Sequence, residues 1–347
     1  MAVLYLLQQN TVLRKSGKRL LFCRQRERKT TTHLRQDDVL IDLPIDDVQH
    51  VMLFGNIQIT TQAMHTLLFN GVETAIYSLS GKLIGQLTPP GGRNIELRIR
   101  QFDAYKDTGY RLNFARMILK YKFLATHDFL LDYNHNHPGC FSLDELAAFR
   151  QAADRIDAVS DSAQLLGHEG SVSALYFKLL GRMLPAPWKF TKRTRRPPQD
   201  AANAVLSFGY TVLASELQSL LDGAGFDPYL GFYHEIVYGR PALALDIMEP
   251  FRHALIDRLM VRLFSLGILT NSDFSPPPQG GIYLSESGKR KYFEQYEKLM
   301  GTYRGETSMD PNSNKYRRLL QEEIGRLARA LMDEKAYVPS RLNKEPE

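Results

Sequence analysis

The apolar residues of this chain change period once, and the change bounds the folds open to it. Before the run Pro89-Pro90-Gly91-Gly92 they come in short alternating stretches, the period of two that a half-buried strand needs. After it they recur every three or four residues, the period of a helix face. Two prolines and two glycines in a row continue neither element. The chain therefore reads as α+β with two domains: a β-rich N-terminal domain over 1–90, an all-α C-terminal domain over 93–335, and a polar, disordered tail over 336–347. A length of 347 residues is more than one core usually organises.

In the first domain, residues 3–7 and 20–23 flank Lys15-Ser16-Gly17-Lys18, a glycine-containing turn that suits a hairpin. Residues 39–44, 48–54, 72–77 and 83–87 read as further strands, and 61–69 as a short helix closed by Asn70-Gly71. In the second domain, helices are predicted over 112–131, 143–156, 171–180, 203–221 and 243–266. A clean amphipathic helix follows through Tyr316, Leu319, Leu320, Ile324, Leu327 and Leu331. Leu112, Ala115, Leu119, Lys122 and Phe123 fall on or near one face of the first of these helices. Pro250 must start or kink the helix that contains it, because it lacks a backbone donor.

Several function classes drop out on composition. No apolar run approaches the roughly 20 residues that span a bilayer, and the apolar start carries neither a basic leader nor a cleavage site. The expectation is a cytoplasmic protein with no membrane partner. Cys23 and Cys140 have no metal-type spacing and read as reduced thiols. The excess of 44 Lys and Arg over 38 Asp and Glu is modest, but it is clustered. Runs occur at Arg14-Lys15 with Lys18-Arg19, at Arg24, Arg26, Arg28 and Lys29, at Lys192-Arg193 with Arg195-Arg196, and at Lys289-Arg290-Lys291. Each could contact phosphates and release counterions, although any single run is more often a solvated face.

Three acids and one histidine stand out as candidates for chemistry. Glu169 sits in Gly167-His168-Glu169-Gly170, just ahead of the predicted 171–180 helix, where flanking glycines let backbone approach a ligand. An acid in a first helical turn, favoured there by the dipole, is the bland alternative. His234 lies in an aromatic stretch, Gly231-Phe232-Tyr233-His234, where a lone histidine is usually a packed, hydrogen-bonded residue. Asp246 and Glu249 are three apart, so on a helix they share a face; equally, they could form a capping box. Taken together, one imidazole nitrogen and two carboxylates make a nitrogen–oxygen site suited to Mg²⁺ or Mn²⁺, the kind of ion phosphodiester chemistry needs. The competitors are weaker. His135-Asn136-His137 has no acidic third ligand beside it, His168 points away from its neighbour Glu169, and Gly288-Lys289 lacks phosphate-loop spacing.

The strings that carry these residues also carry a resemblance. Gly167 to Gly170, Arg196-Pro197-Pro198 leading to Asn203 and Tyr210, Asp227-Pro228-Tyr229-Leu230-Gly231-Phe232-Tyr233-His234, and Arg240-Pro241 through Asp246-Ile247-Met248-Glu249-Pro250-Phe251-Arg252 resemble the CRISPR adaptation integrases. These are the spacer-acquisition endonucleases of prokaryotic immunity. Leu53-Phe54-Gly55-Asn56 with Thr61-Gln62-Ala63 looks like that family's β-domain, so the likeness runs to about residue 300. The resemblance implies a β-rich domain that helps form a homodimer and a helical catalytic domain. Glu169, His234 and Glu249 would be its metal ligands, with Asp246, Asn203, Tyr210 and Arg252 as supporting neighbours. It implies an activity too: a short duplex, the protospacer, is joined to a CRISPR repeat array by attack of a 3′-hydroxyl on a phosphodiester. A small ferredoxin-like partner would bridge two dimers into a heterohexamer. Lys192, Arg193, Arg195, Arg196, Lys289, Arg290 and Lys291 would hold DNA. One departure shows: Phe-Leu-Ala-Thr-His follows Lys122 where an Asn-Gln pair is common in relatives.

Overall fold

The structure, a computed structural model, describes residues 2–24, 38–79, 81, 83–88, 94–276, 280–301 and 315–342. The chain divides into two compact units, Met1–Gly91 and Gly92–Glu347. Arg26, Arg28 and Lys29, the Pro89-Pro90-Gly91-Gly92 break and Pro277-Pro278-Gln279 lie outside the described residues.

Two four-stranded sheets build the first unit. Strands β1 (Ala2–Leu6), β5 (Val48–Phe54) and β7 (Glu73–Tyr77) run parallel in that order, with β8 (Leu83–Leu87) antiparallel at the edge. The second sheet orders β4 (Val39–Pro44), β3 (Arg19–Arg24), β2 (Thr11–Ser16) and β6 (Ile57–Ile59), with β6 parallel to β2. Leu4, Leu6, Val51 and Leu53 of one sheet meet Leu13, Leu20 and Phe22 of the other in a single core. Helix α1 (Thr61–Phe69) adds Ala63 and Leu67 to it. Thr60 caps that helix by accepting from the Ala63 N–H, and Gly71 follows it at φ +73°.

The expected hairpin is corrected. The turn at Gly17 joins β2 to β3, and residues 3–7 take no part in it; β1 pairs with β5 instead. Val12 and Leu13 are the only apolar residues of β2, too few for a sequence signal. Its ladder with β3 supplies what its own sequence lacks.

Helices dominate the second unit: α2 (Ile95–Lys106), α3 (Thr108–Asn136), α4 (Leu143–Arg155), α5 (Ser162–Arg182), α6 (Ala201–Ala224), α7 (Ala242–Met248), α8 (Arg258–Ser265), α9 (Glu286–Met300) and α10 (Lys315–Met332). A pair of two-residue strands, β9 (Phe274–Ser275) and β10 (Tyr283–Leu284), means the domain is not strictly all-α. Most starts are capped by side chains: Asp107 for α3, a Ser142–Glu145 capping box for α4, Asp161 for α5 and Asp200 for α6. Among the described residues α6 alone is long and apolar enough to cross a membrane, but 72% of its apolar window is buried in the domain, as in a core helix.

The start of α5, the presence of α9 and the tail differ from the sequence reading. Helix α5 starts nine residues before the predicted 171, because Asp161 accepts from the Gln164 N–H and fully buried Leu165 anchors the first turns. Gly167 and Gly170 sit there with open space around them. Each costs about 1 kcal/mol against alanine, which that anchoring outweighs. Helix α9 was legible only as a run of charges, yet Tyr292, Phe293, Tyr296 and Met300 bury one face of it. Residues 336–342 are packed rather than disordered. Tyr337 and Leu342 are buried, the Tyr337 hydroxyl and the Ser340 N–H donate to Glu323, and Arg341 pairs with Asp128 at 2.7 Å. Residues 343–347 lie outside the described residues.

Candidate active site

Asp246 organises the backbone on which the histidine stands. It lies inside α7, wholly buried, and is not the N-cap of a capping box; Pro241 holds the cap position. Its Oδ2 accepts the N–H groups of Phe232 (2.7 Å) and Tyr233 (3.0 Å), and its Oδ1 accepts the N–H of His234 (2.9 Å). His234 Nδ1 stands 2.7 Å from the same Oδ1. A carboxylate accepts, so Nδ1 carries a proton, and in the neutral ring this leaves Nε2 as the acceptor nitrogen. Gly231 makes this approach possible, because a Cβ there would stand 2.8 Å from both Asp246 Oδ2 and the Ala242 backbone. Asp246→Asn keeps the volume but turns an NH₂ against buried N–H groups. It is expected to lower unfolding free energy by about 3 kcal/mol, read as a shifted urea midpoint at unchanged slope; an unshifted midpoint would refute this role.

Three elements then bring carboxylates and cations together. Helix α3 contributes Lys122, α5 contributes Glu169, and the turn after α7 contributes Glu249. Lys122 is buried, with Nζ 2.5 Å from Glu169 Oε1 and 2.8 Å from Glu249 Oε2. Ser173 Oγ also donates to Glu169 Oε1 at 3.0 Å. Arg252 Nη1 donates to Glu249 Oε1 at 2.8 Å, and His234 Nε2 faces that oxygen at 3.9 Å. Burial opposes ionisation of Glu249, but the Arg252 and Lys122 cations outweigh it and hold the carboxyl down to about 2. Burial likewise opposes ionisation of Glu169, and Lys122 overrides it to keep that carboxyl below its ordinary value.

Behind Arg252 runs a layer the sequence did not announce. Arg252 Nε donates to His253 Nε2 at 3.1 Å, and the His253 ring stacks on Tyr176 at 3.9 Å. Tyr176 and Tyr210 each donate to one oxygen of buried Asp257 at 2.5 Å, and burial raises the Asp257 carboxyl to about 6. A π-helical stretch, His253–Asp257, carries this layer immediately after the Pro250 interruption. The Tyr210 ring lies 5.7 Å beneath the Arg252 guanidinium, so Tyr210 backs the site without entering it.

The other predicted residues divide. Asn203 is a latch at the start of α6: its amide donates to Lys192 O and Asp200, and its oxygen takes Arg193 Nη1 and the Thr194 N–H. Arg193 is half-buried against Tyr210 and Ser207, so it supports that latch. Lys192, Arg195 and Arg196 are exposed. The run Lys289-Arg290-Lys291 does not offer three free cations. Lys289 is buried, which lowers its ammonium to about 8, Arg290 pairs with Glu286 at 2.6 Å, and Lys291 pairs with Asp273 at 2.6 Å. The His137 ring stacks on Tyr133, and His168 Nε2 lies 3.0 Å from Ala152 O, away from the carboxylates.

Lys122 is the residue that sequence reasoning left unassigned. The signal was present: a lysine on the apolar face of α3, where a solvated cation has no place. Among the described residues no three acidic, imidazole or thiol side chains stand ready-made at metal-binding geometry. The reason is visible, since the Lys122 ammonium occupies the space between Glu169 and Glu249. In donor chemistry the residues nonetheless fit a divalent cation. Glu249 Oε2 is buried and, though ion-paired, receives no properly directed hydrogen bond. The Nε2 lone pair of His234 is fixed by Asp246 in the manner of a metal-ligating histidine. The ammonium marks where positive charge is wanted.

Comparison with known proteins agrees in outline. The sequence profile of the family described as CRISPR associated protein Cas1 matches residues 4–298. A CRISPR-associated endonuclease Cas1 of Thermodesulfovibrio yellowstonii is 31% identical over 300 residues, covering 85% of this chain and 90% of that protein. In fold, the chain is similar to a casposase bound to its integration product, with a TM-score of 0.82 at 22% identity, covering 100% of this chain and 96% of the other. It is also similar to a chain of a Cas6-RT-Cas1–Cas2 complex, with a TM-score of 0.78 at 23% identity, covering 100% of this chain and 36% of that one.

Proposed function

This chain belongs to the CRISPR-associated Cas1 family, and from that premise we propose that it is a metal-dependent DNA integrase that inserts short foreign DNA into a CRISPR repeat array. The reaction is attack of a DNA 3′-hydroxyl on a repeat phosphodiester at the centre formed by Glu169, His234 and Glu249. One observation carries the proposal: two carboxylates distant in sequence meet one buried ammonium, and the His234 imidazole faces the other oxygen of Glu249.

Glu169, His234 and Glu249 would hold Mg²⁺ or Mn²⁺, which supplies Lewis acidity to a phosphate oxygen and lowers the pKa of the attacking hydroxyl. The chain's own residues do the rest. Asp246 fixes the His234 ring in its Nδ1–H form and anchors the backbone beneath it. Arg252, held against Glu249, contributes a second positive charge close to where the transition state spreads negative charge over phosphate oxygens. Exposed Lys192, Arg195 and Arg196 would hold DNA through its phosphates, positioning it with little sequence choice. The first unit would serve homodimer formation, and a small ferredoxin-like partner, as the name Cas2 in the similar complex suggests, would bridge two dimers into a heterohexamer. The cytoplasm, where such DNA is met, is its proposed location.

The test is covalent. An end-labelled duplex with free 3′-hydroxyls is incubated with a supercoiled repeat plasmid and Mn²⁺. Transfer of label to the plasmid, abolished by a chelator, is the expected result. Nicking without transfer would assign a hydrolytic nuclease instead, because the two reactions differ only in the attacking oxygen.

A further inference from the structure

The polar layer behind the carboxylates determines the state of one histidine. Arginine has only donors, so His253 Nε2, 3.1 Å from Arg252 Nε, must present a lone pair. The other end gives the same answer. Thr126 Oγ1 donates its single proton to Lys122 O at 2.7 Å and stands 2.7 Å from His253 Nδ1, so Nδ1 carries the proton and donates to that hydroxyl. Two independent contacts thus select one neutral tautomer. The nearest Asp257 oxygen is 3.9 Å from Nε2, beyond hydrogen-bonding reach, and Tyr176 covers a ring face. The contacts close a circuit: Glu249 to Arg252, Arg252 to His253, His253 to Thr126, Thr126 to the Lys122 backbone, and Lys122 Nζ back to Glu249.

We infer that His253 is a positioning residue of the reaction centre: as the neutral Nδ1–H tautomer it aims the Arg252 guanidinium at Glu249 and ties it to the turn of α3 that presents Lys122. The inference rests on the proposed metal-binding role of Glu249. An imidazole suits the task because it accepts at one nitrogen while donating at the other, at a fixed separation. Leucine fills similar space with neither function. Glutamine restores an acceptor near the Nε2 position.

The experiment uses the full chain in two measurements. Imidazole ¹⁵N spectra of the metal-free protein, with the His253 signals identified by their loss in His253→Gln, are expected to show the Nδ1–H tautomer. An Nε2–H tautomer or a cationic ring at neutral pH overturns the inference. Calorimetric titration with Mn²⁺, without DNA, is expected to show about 10–100-fold weaker binding for His253→Leu and a change within about threefold for His253→Gln. Wild-type affinity in His253→Leu, or equal losses in both variants, also overturns it. If His253→Leu does not fold, the wild-type spectrum and the glutamine variant decide. Should these results hold while the wild type fails to join DNA, the proposed function falls and the positioning role stands.

Discussion

Glu249→Gln is expected to abolish covalent joining of a labelled duplex to a repeat plasmid, with a loss of about 10³-fold or more, equivalent to about 4 kcal/mol of transition-state stabilisation. Duplex affinity, read by fluorescence anisotropy, should stay close to wild type, because Glu249 is buried and cannot itself meet a DNA backbone. Joining at the wild-type rate would remove Glu249 from the centre. The same variant makes a claim about pH. The folded carboxyl is held near 2 against an ordinary 4.5, a depressed value, so its contribution to stability is present above about 4.5 and lost as pH falls toward 2. That contribution is about 3 kcal/mol by linkage. Glutamine also leaves Arg252 and Lys122 without their shared anion. Urea unfolding should therefore find the variant weaker at pH 7, with the gap to wild type closing between pH 4.5 and 2.

Lys122→Met should expose what the ammonium does. Without it, Glu169 and Glu249 face each other with no cation between them. Breaking a buried ion pair by removing one partner costs about 3–5 kcal/mol, so the metal-free melting temperature should fall by on the order of 10 °C. Manganese should reverse much of that loss, since ligand at about 100 times its Kd adds about 2.7 kcal/mol. The wild type should respond less, because there the ion must first displace the lysine. Scanning calorimetry of both proteins with and without Mn²⁺ settles it. A variant that melts like wild type, or gains nothing from the ion, would mean that the lysine is not a stand-in for metal.

How much of this could be read from residues alone varied with the kind of signal. The period change separated strands from helices, and α1 and α10 were legible because their apolar spacing agrees with the faces they bury. Strand β2 was not, having two apolar residues and a partner that does the burying. The start of α5 was misplaced because Gly167 and Gly170 add nothing to the apolar pattern, whereas Asp161 and Leu165, further upstream, decide where the helix begins. At the site, the local strings made the acids and His234 candidates with bland alternatives beside them, and it was the family resemblance that joined Glu169, His234 and Glu249 into one ligand set. Lys122, His253 and Asp257 could not be tied to them. Their partners are assembled from α3, α5, α6 and the π-helical stretch, and no local string records those meetings. The basic runs misled in part, because sequence shows charge and not its neutralisation: Arg290 and Lys291 answer carboxylates of their own domain.

The parallel pairings of the first unit carry a kinetic consequence. Ala2 waits for Val48 and Thr11 for Ile57, so both sheets need long loops to close before their ladders can form. Loop-closure entropy comes due before any such pairing rewards it, which makes this unit a high-contact-order, slow-folding one. While it waits, the stretch Val3-Leu4-Tyr5-Leu6 is an uncovered apolar strand in a nascent chain, the place where misassembly between copies would begin.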